Sequence, residues 1–195
     1  MKTFTIKKEH LDKDNYYIGK EDLTNYDGNI ESEENLGYVK FKNNIYVRGY
    51  IWFKAGSGIK AGSGIEAGSG IKAGWGIEAG LGIEAGLGIE AGWGIKAGWG
   101  IKAGWGIEAG LSITCKLELS FKYRLFAGIC LWKNLETDDE KTVTCGRLIS
   151  GTIEYGILKE IGMSLKENDK KIALLSKADE LIQKANELKT EAEKI

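Results

Sequence analysis

The chain has no proline, a single histidine and only three arginines, Arg48, Arg124 and Arg147, in 195 residues. Scarce arginine leaves the bidentate reading of phosphate poorly supplied. The near balance of 27 basic and 28 acidic residues gives no reason to expect a nucleic-acid or anionic-membrane partner. No stretch reaches the roughly 18 consecutive apolar residues that a membrane-spanning helix needs. Met1 to His10 is charged and holds no apolar core, so no secretory signal is expected. The three cysteines, Cys115, Cys130 and Cys145, are odd in number and lack CxxC spacing, which fits buried free thiols in a reducing compartment. The cytoplasm of a bacterium or of a phage-infected cell is the expected location. Abundant lysine, isoleucine and asparagine beside scarce arginine and proline suggest an AT-rich bacterial or phage genome.

The same scarcities bear on chemistry. His10 lies in the charged N-terminal segment, and a Cys-His nucleophile pair would need it to reach cysteines whose alternating neighbours argue for core burial. One histidine and three dispersed cysteines do not match zinc-ligand spacing. The even fifteen-residue spacing of the cysteines fits one stacked core column. Glu136, Asp138, Asp139 and Glu140 read as a solvated loop. Glycine is plentiful, but neither GxxxxGK[ST] nor a GxGxxG leading into a helix is present. No catalytic residue, no metal site and no cofactor are expected.

What the chain has is a repeat. From Ala55 it runs A-G-x-G-I-(K/E) ten times, the last copy degenerate as Ala109-Gly110-Leu111-Ser112-Ile113-Thr114. A period of six is a multiple of two and not of 3.6, so it builds no apolar helix face. Two glycines in six would also cost a helix about 1 kcal/mol each. In extended chain, x and Ile share one face, with Gly and Lys or Glu on the other. The Ala-Gly pair falls where a turn is wanted, since glycine reaches positive φ. Strand, corner, strand makes the coil of a solenoid, whereas a flexible Gly-Ser linker has no reason to hold Ile at every sixth position.

The x positions read Ser57, Ser63, Ser69, then Trp75, Leu81, Leu87, then Trp93, Trp99, Trp105. Grouped by three, they imply an 18-residue, three-sided coil. Residues 18 apart then become lateral neighbours: Lys60–Glu78–Lys96, Glu66–Glu84–Lys102 and Lys72–Glu90–Glu108. Four of these six adjacent pairs are opposite in charge, the kind of pairing that stabilises neighbouring strands.

The repeat I-(K/E)-A-G-x-G resembles that of the hexapeptide-repeat, left-handed parallel β-helix proteins, in which an aliphatic residue fills the core every sixth position. The resemblance covers Ala55 to Thr114. It departs from the family at x, normally small because the triangular interior is narrow. Either the solenoid widens toward its C-terminal coils, or some indoles sit at corners and face solvent. Many proteins of that family are acyltransferases, which implies a histidine base at a coil edge. No histidine lies within this repeat.

The fold class expected is therefore mainly β, a parallel β-solenoid with a C-terminal α-helix. Residues 1–27 read as an N-terminal cap, 28–160 as the solenoid and 161–195 as the helical tail. In the tail, Leu174, Leu181, Leu188 and Ile195 fall seven apart, with Ala178, Ala185 and Ala192 at the other seam position. That heptad suits self-association into a homo-oligomer, or docking back on the solenoid. The expected function is non-enzymatic, a binding or self-assembly protein acting on a protein partner or on itself. If a face binds, Trp93, Trp99 and Trp105, with Trp75, are the anchors expected. Two other uses stay open. One is a phage or mobile-element protein that inhibits a host defence protein by covering its surface; the other is a carbohydrate-binding module whose indoles stack sugars.

Overall fold

The computed structural model describes residues 1–162. Contacts divide the chain into Met1–Met163 and Ser164–Ile195. The expected tail helix, with Leu174, Ala178, Leu181, Ala185, Leu188, Ala192 and Ile195, lies outside the described residues. Within them the architecture is a parallel β-solenoid of about seven turns, without an α-helix.

The strands in chain order begin with β1 (Thr3–Ile6), β2 (Asn29–Ser32), β3 (Gly37–Phe41), β4 (Ile45–Val47), β5 (Ile51–Phe53) and β6 (Ser57–Ala61). The regular repeat contributes three-residue strands: β7 (Ile65–Ala67), β8 (Ile71–Ala73), β9 (Ile77–Ala79), β10 (Ile83–Ala85) and β11 (Ile89–Ala91). It continues through β12 (Ile95–Ala97), β13 (Ile101–Ala103), β14 (Ile107–Ala109) and β15 (Ile113–Cys115). Longer strands finish the stack: β16 (Glu118–Ala127), β17 (Thr142–Cys145), β18 (Arg147–Tyr155) and β19 (Ile157–Glu160).

These strands form three faces. Face 1 stacks β1, β2, β5, β8, β11 and β14, face 2 stacks β4, β7, β10 and β13, and face 3 stacks β3, β6, β9, β12, β15, β17 and β19. β16 turns a corner, pairing with β13 on face 2 through Leu119 and with β14 on face 1 through Leu125. Every pairing between named strands is parallel, and in the repeat the step is 18 residues, Ile59 beneath Ile77 beneath Ile95. The three-sided coil expected from the tryptophan grouping is the one observed.

The hexapeptide is used differently from the expectation in two respects. First, the inward pair is Ile and Ala rather than x and Ile. The strand is I-(K/E)-A, and its two ends, such as Ile83 and Ala85, are both buried while Glu84 between them is exposed. Alternation then ends, because G-x-G turns the chain through a corner and re-aims the next side chain outward. Each buried isoleucine contributes about 1.5–3 kcal/mol, and alanine keeps the triangular interior narrow.

Second, the glycines between Gly58 and Gly110 do not adopt positive φ. They are required by space. A Cβ on Gly80 would overlap the carbonyl oxygen of Gly62 one coil below, and one on Gly98 would overlap that of Gly80. The corners pass that closely because they carry hydrogen bonds too: Gly98 N–H donates to Ala79 O at 2.9 Å, and Trp99 N–H donates to Leu81 O at 3.0 Å.

Outside the repeat the coils widen. Val39 lies beneath Ile59 and Ile30 beneath Ile51, steps of 20 and 21 residues. Val143 lies above Ile113, a step of 30, because the chain leaves the coil after β16 and returns at β17. Cys115 and Cys145 are buried in the core, but Cys130 falls in that looped-out segment and is only half-buried. The single column of three thiols is therefore reduced to two, since an inserted loop breaks the register that equal spacing assumes.

Candidate binding surface

Each corner stacks one x residue per coil, and its backbone hydrogen bonds identify the neighbours. Trp93 N–H donates to Trp75 O at 3.2 Å, Trp99 N–H to Leu81 O at 3.0 Å and Trp105 N–H to Leu87 O at 3.1 Å. Trp93, Trp99 and Trp105 thus occupy the three different corners of one coil. The structure does not bring these anchors together on a single face. It brings together Trp75 and Trp93, which stack at the corner between faces 1 and 3, with Tyr38 edge-on to Trp75 at 5.6 Å. Trp93 and Trp105 are exposed, at 37% and 54%, whereas Trp75 and Trp99 are half-buried. The first x residue, Ser57, is an exception: it is fully buried and its hydroxyl donates to Glu33 O at 2.9 Å.

The charged residues between Ile and Ala form ladders up the faces. Lys60 pairs with Glu78 at 2.7 Å, Lys72 with Glu90 at 2.6 Å and Lys102 with Glu84 at 2.6 Å, all between adjacent coils. These pairs are largely exposed and each contributes a few tenths of a kcal/mol, roughly. The acidic cluster of the looped-out segment carries its own cations: Lys133 pairs with Glu140, and Lys141 with Asp138 at 2.9 Å. Among the described residues no group of His, Cys, Asp and Glu is arranged to hold a metal ion. His10 is engaged locally, its Nδ1 accepting from Lys7 N–H at 3.1 Å and its ring stacked on Phe4.

One concavity among the described residues is a trough of about 860 Å³ along face 1 and the corner it shares with face 2. Its floor includes Gly70, Gly88 and Gly106, which carry no side chains. Its long side is the outward column Trp52, Lys72, Glu90, Glu108 and Phe126, one residue per coil in direct register. Aromatic rings close both ends, Tyr50 and Trp52 at one, Tyr123 and Phe126 at the other. The end rings are held in place. Tyr50 Oη donates to Glu31 Oε1 at 2.6 Å, which raises the phenol's pKa, and Lys54 lies 5.7 Å over Trp52. Lys122 lies 5.2 Å over Tyr123, itself 54% exposed, and Arg124 faces Glu154 at 3.7 Å.

The trough also has an electrostatic asymmetry. Glu90 is neutralised by Lys72, but Glu108 stands next to Glu90 in register. Loss of water around its carboxyl raises the Glu108 pKa, the neighbouring Glu90 charge raises it further, and Lys72 offsets part of this. The trough thus combines aromatic ends, the Lys72–Glu90 ion pair and a Glu108 carboxyl whose ionisation is disfavoured.

The binding anchors expected from the sequence include none of the trough residues. Trp52 carried a usable signal, being the outward residue of the alternating run Ile51-Trp52-Phe53 and hence an exposed indole. Tyr123 and Phe126 carried none, because their approach to Trp52's column depends on the register across coils of unequal length. Comparison of the chain with protein-family models, curated proteins and solved structures finds no match. The class is defined by the fold itself: a three-faced parallel β-solenoid with coils of about 18 residues.

Proposed function

We propose that the chain is a non-enzymatic binding protein that engages an extended segment of a partner protein along the face 1 trough. The observation that carries this reading is the trough's construction: a side-chain-free glycine floor between two aromatic ends. Glycine lets a partner backbone approach closely, and aromatic side chains with fixed neighbours lose little entropy when covered. A stack of hydrogen-bonded coils gives the rigid surface on which such a channel keeps its shape. The unbroken I-(K/E)-A-G-x-G repeat and its 18-residue step also support kinship with hexapeptide-repeat β-helix proteins. The heptad positions of the tail support a further role in self-association.

The test is comparative capture with the immobilised full chain. A polypeptide retained by the native protein is expected to be lost with Trp52→Ala, Tyr123→Ala and Glu108→Lys, and kept with Trp93→Leu, which lies at another corner. A retained set that is the same for all four variants rejects the trough as the site. Loss of binding to immobilised glycans, instead of to polypeptides, in the same variants would assign the aromatic ends to sugars.

A further inference from the structure

The two ends of the solenoid are finished differently. At the N-terminal end the chain runs back over its own first coil. Tyr17 N–H donates to Lys40 O at 2.8 Å, Lys40 N–H to Asn15 O at 2.8 Å, and Tyr26 N–H to Tyr46 O at 2.8 Å. Leu11, Leu23 and Tyr26 are buried in this cover. At the other end, among the described residues, β18 pairs only with β16 and β19 only with β17, so each leaves an outer edge unpaired. Leu158 stands directly above Val143 in the core column, yet it is 41% exposed while Val143 is fully buried. Ile149, Tyr155 and Ile161 of the last coil are exposed too, at 48%, 47% and 54%. Apolar residues on an unpaired strand edge form a template for further strand pairing.

We propose that this open end is closed by the same end of a second copy, two solenoids meeting tail to tail about a two-fold axis. The argument is the self-complementarity of β18. A two-fold contact brings the same patch of both copies together, so each residue must suit its reflected partner. β18 turns a corner at Gly151, where φ is +103°, placing Leu148 above Leu119 on face 2 and Ile153 above Leu125 on face 1, with Ile149 and Glu154 at irregular steps of its ladder with β16. A two-fold axis through that corner exchanges the two faces and sets the halves of β18 antiparallel. With Ser150 opposite Gly151 of the other copy, Leu148 meets Ile153, Ile149 meets Thr152, and Arg147 meets Glu154. Apolar residues then face each other in the interior, and opposite charges face each other at the rim. The contact extends the backbone ladder by one step and covers the exposed core at both tails. It shares Glu154 with the Arg124 ion pair beside the trough, but does not require the trough to be occupied.

The experiment uses the full chain. Sedimentation across a range of concentrations is expected to give a species of twice the 21.4 kDa chain mass. Ile149→Lys and Leu158→Lys, which place a charge in the contact, are expected to weaken association by at least about tenfold while the β-rich circular dichroism is retained. Amide hydrogen exchange on the unsubstituted chain is the second measurement, with protection of residues 147–160 expected to rise with concentration. A single-chain mass at every concentration overturns the proposal. So does an association unmoved by either substitution but abolished by Leu181→Lys in the tail heptad. Edge protection that does not change with concentration also overturns it, because the edge is then covered within one chain.

Discussion

The indole rings of Trp75 and Trp93 stack one coil above the other, their centroids 4.9 Å apart and their planes 10° from parallel. This follows from the corner. G-x-G delivers one outward side chain at the same height in each coil, and an 18-residue step puts Trp75 and Trp93 in one column while leaving Trp99 and Trp105 in others. Stacked aromatic pairs are worth about 0.5–1.5 kcal/mol beyond the area they bury. Trp93→Leu is therefore expected to lower unfolding stability by that amount and to remove the exciton signal of the paired indoles from the circular dichroism. Trp105→Leu, at a corner without an aromatic stack, is expected to leave both unchanged while removing an indole that is open to acrylamide. An exciton signal that survives Trp93→Leu would contradict the stacking.

The glycines of one corner are not equivalent. A Cβ on Gly80 overlaps the Gly62 carbonyl, whereas a Cβ on Gly82 meets its nearest neighbour, the Gly100 oxygen, at 3.6 Å, an ordinary contact. Neither residue has positive φ. Gly80→Ala is expected to destabilise the solenoid by about 1–3 kcal/mol, the usual cost of forced overpacking. Gly82→Ala is expected to be neutral or to stabilise by about 0.4–1 kcal/mol, because alanine narrows the unfolded ensemble. Urea unfolding of the two variants side by side measures this. Equal destabilisation of both would mean that glycine is needed at corners for its backbone freedom after all.

This difference marks where the sequence could be read and where it could not. A six-residue period excluded helix, and residues 18 apart with opposite charges pointed to Lys60 beside Glu78 and Lys72 beside Glu90, which are the ion pairs observed. Reading x and Ile onto one face went wrong because strict alternation assumes an unbroken strand. Here the strand ends at Ala, and the corner resets the direction of the next side chain. The trough was not legible for a related reason. Trp52 and Phe126 belong to coils outside the perfect repeat, and aligning them with Lys72 and Glu108 requires knowing how many residues each irregular corner consumes. That count is decided by packing rather than by period.

Thiol chemistry separates the three cysteines. Burial is the main cause that pushes the Cys115 thiol up to about 12 and the Cys145 thiol up to about 11; the second effect is the neighbouring thiol for Cys115 and Glu160 for Cys145. Both are fully protonated near neutral pH, and the thiolate is the nucleophile. Cys130 lies in the looped-out segment, where it is half-buried. Alkylation of the native protein at neutral pH is expected to modify Cys130 alone, and all three after unfolding in denaturant, as counted by intact mass. Rapid native labelling of Cys115 would place it outside the core.

Glu108 gives the trough a pH dependence whose sign can be worked out. Its carboxyl loses water within the trough and faces the charge of Glu90, so its pKa in the folded chain is raised above the unfolded value despite the partial offset from Lys72. A raised carboxylate pKa means that the folded state binds the proton more tightly than the unfolded one. Ionised Glu108 therefore costs stability, in full above the raised folded value and not at all below the ordinary carboxylate value, where both states are protonated. Glu108→Gln removes the charge and keeps the shape. The variant is expected to be more stable than the native chain near neutral pH, with the advantage shrinking as pH falls through the raised value and vanishing in more acid solution. Urea midpoints of the two proteins over a pH series test this. A difference of constant size across the series would show that the substitution acts through packing, and a less stable variant at neutral pH would show that Glu108 is held by a favourable partner rather than strained by Glu90.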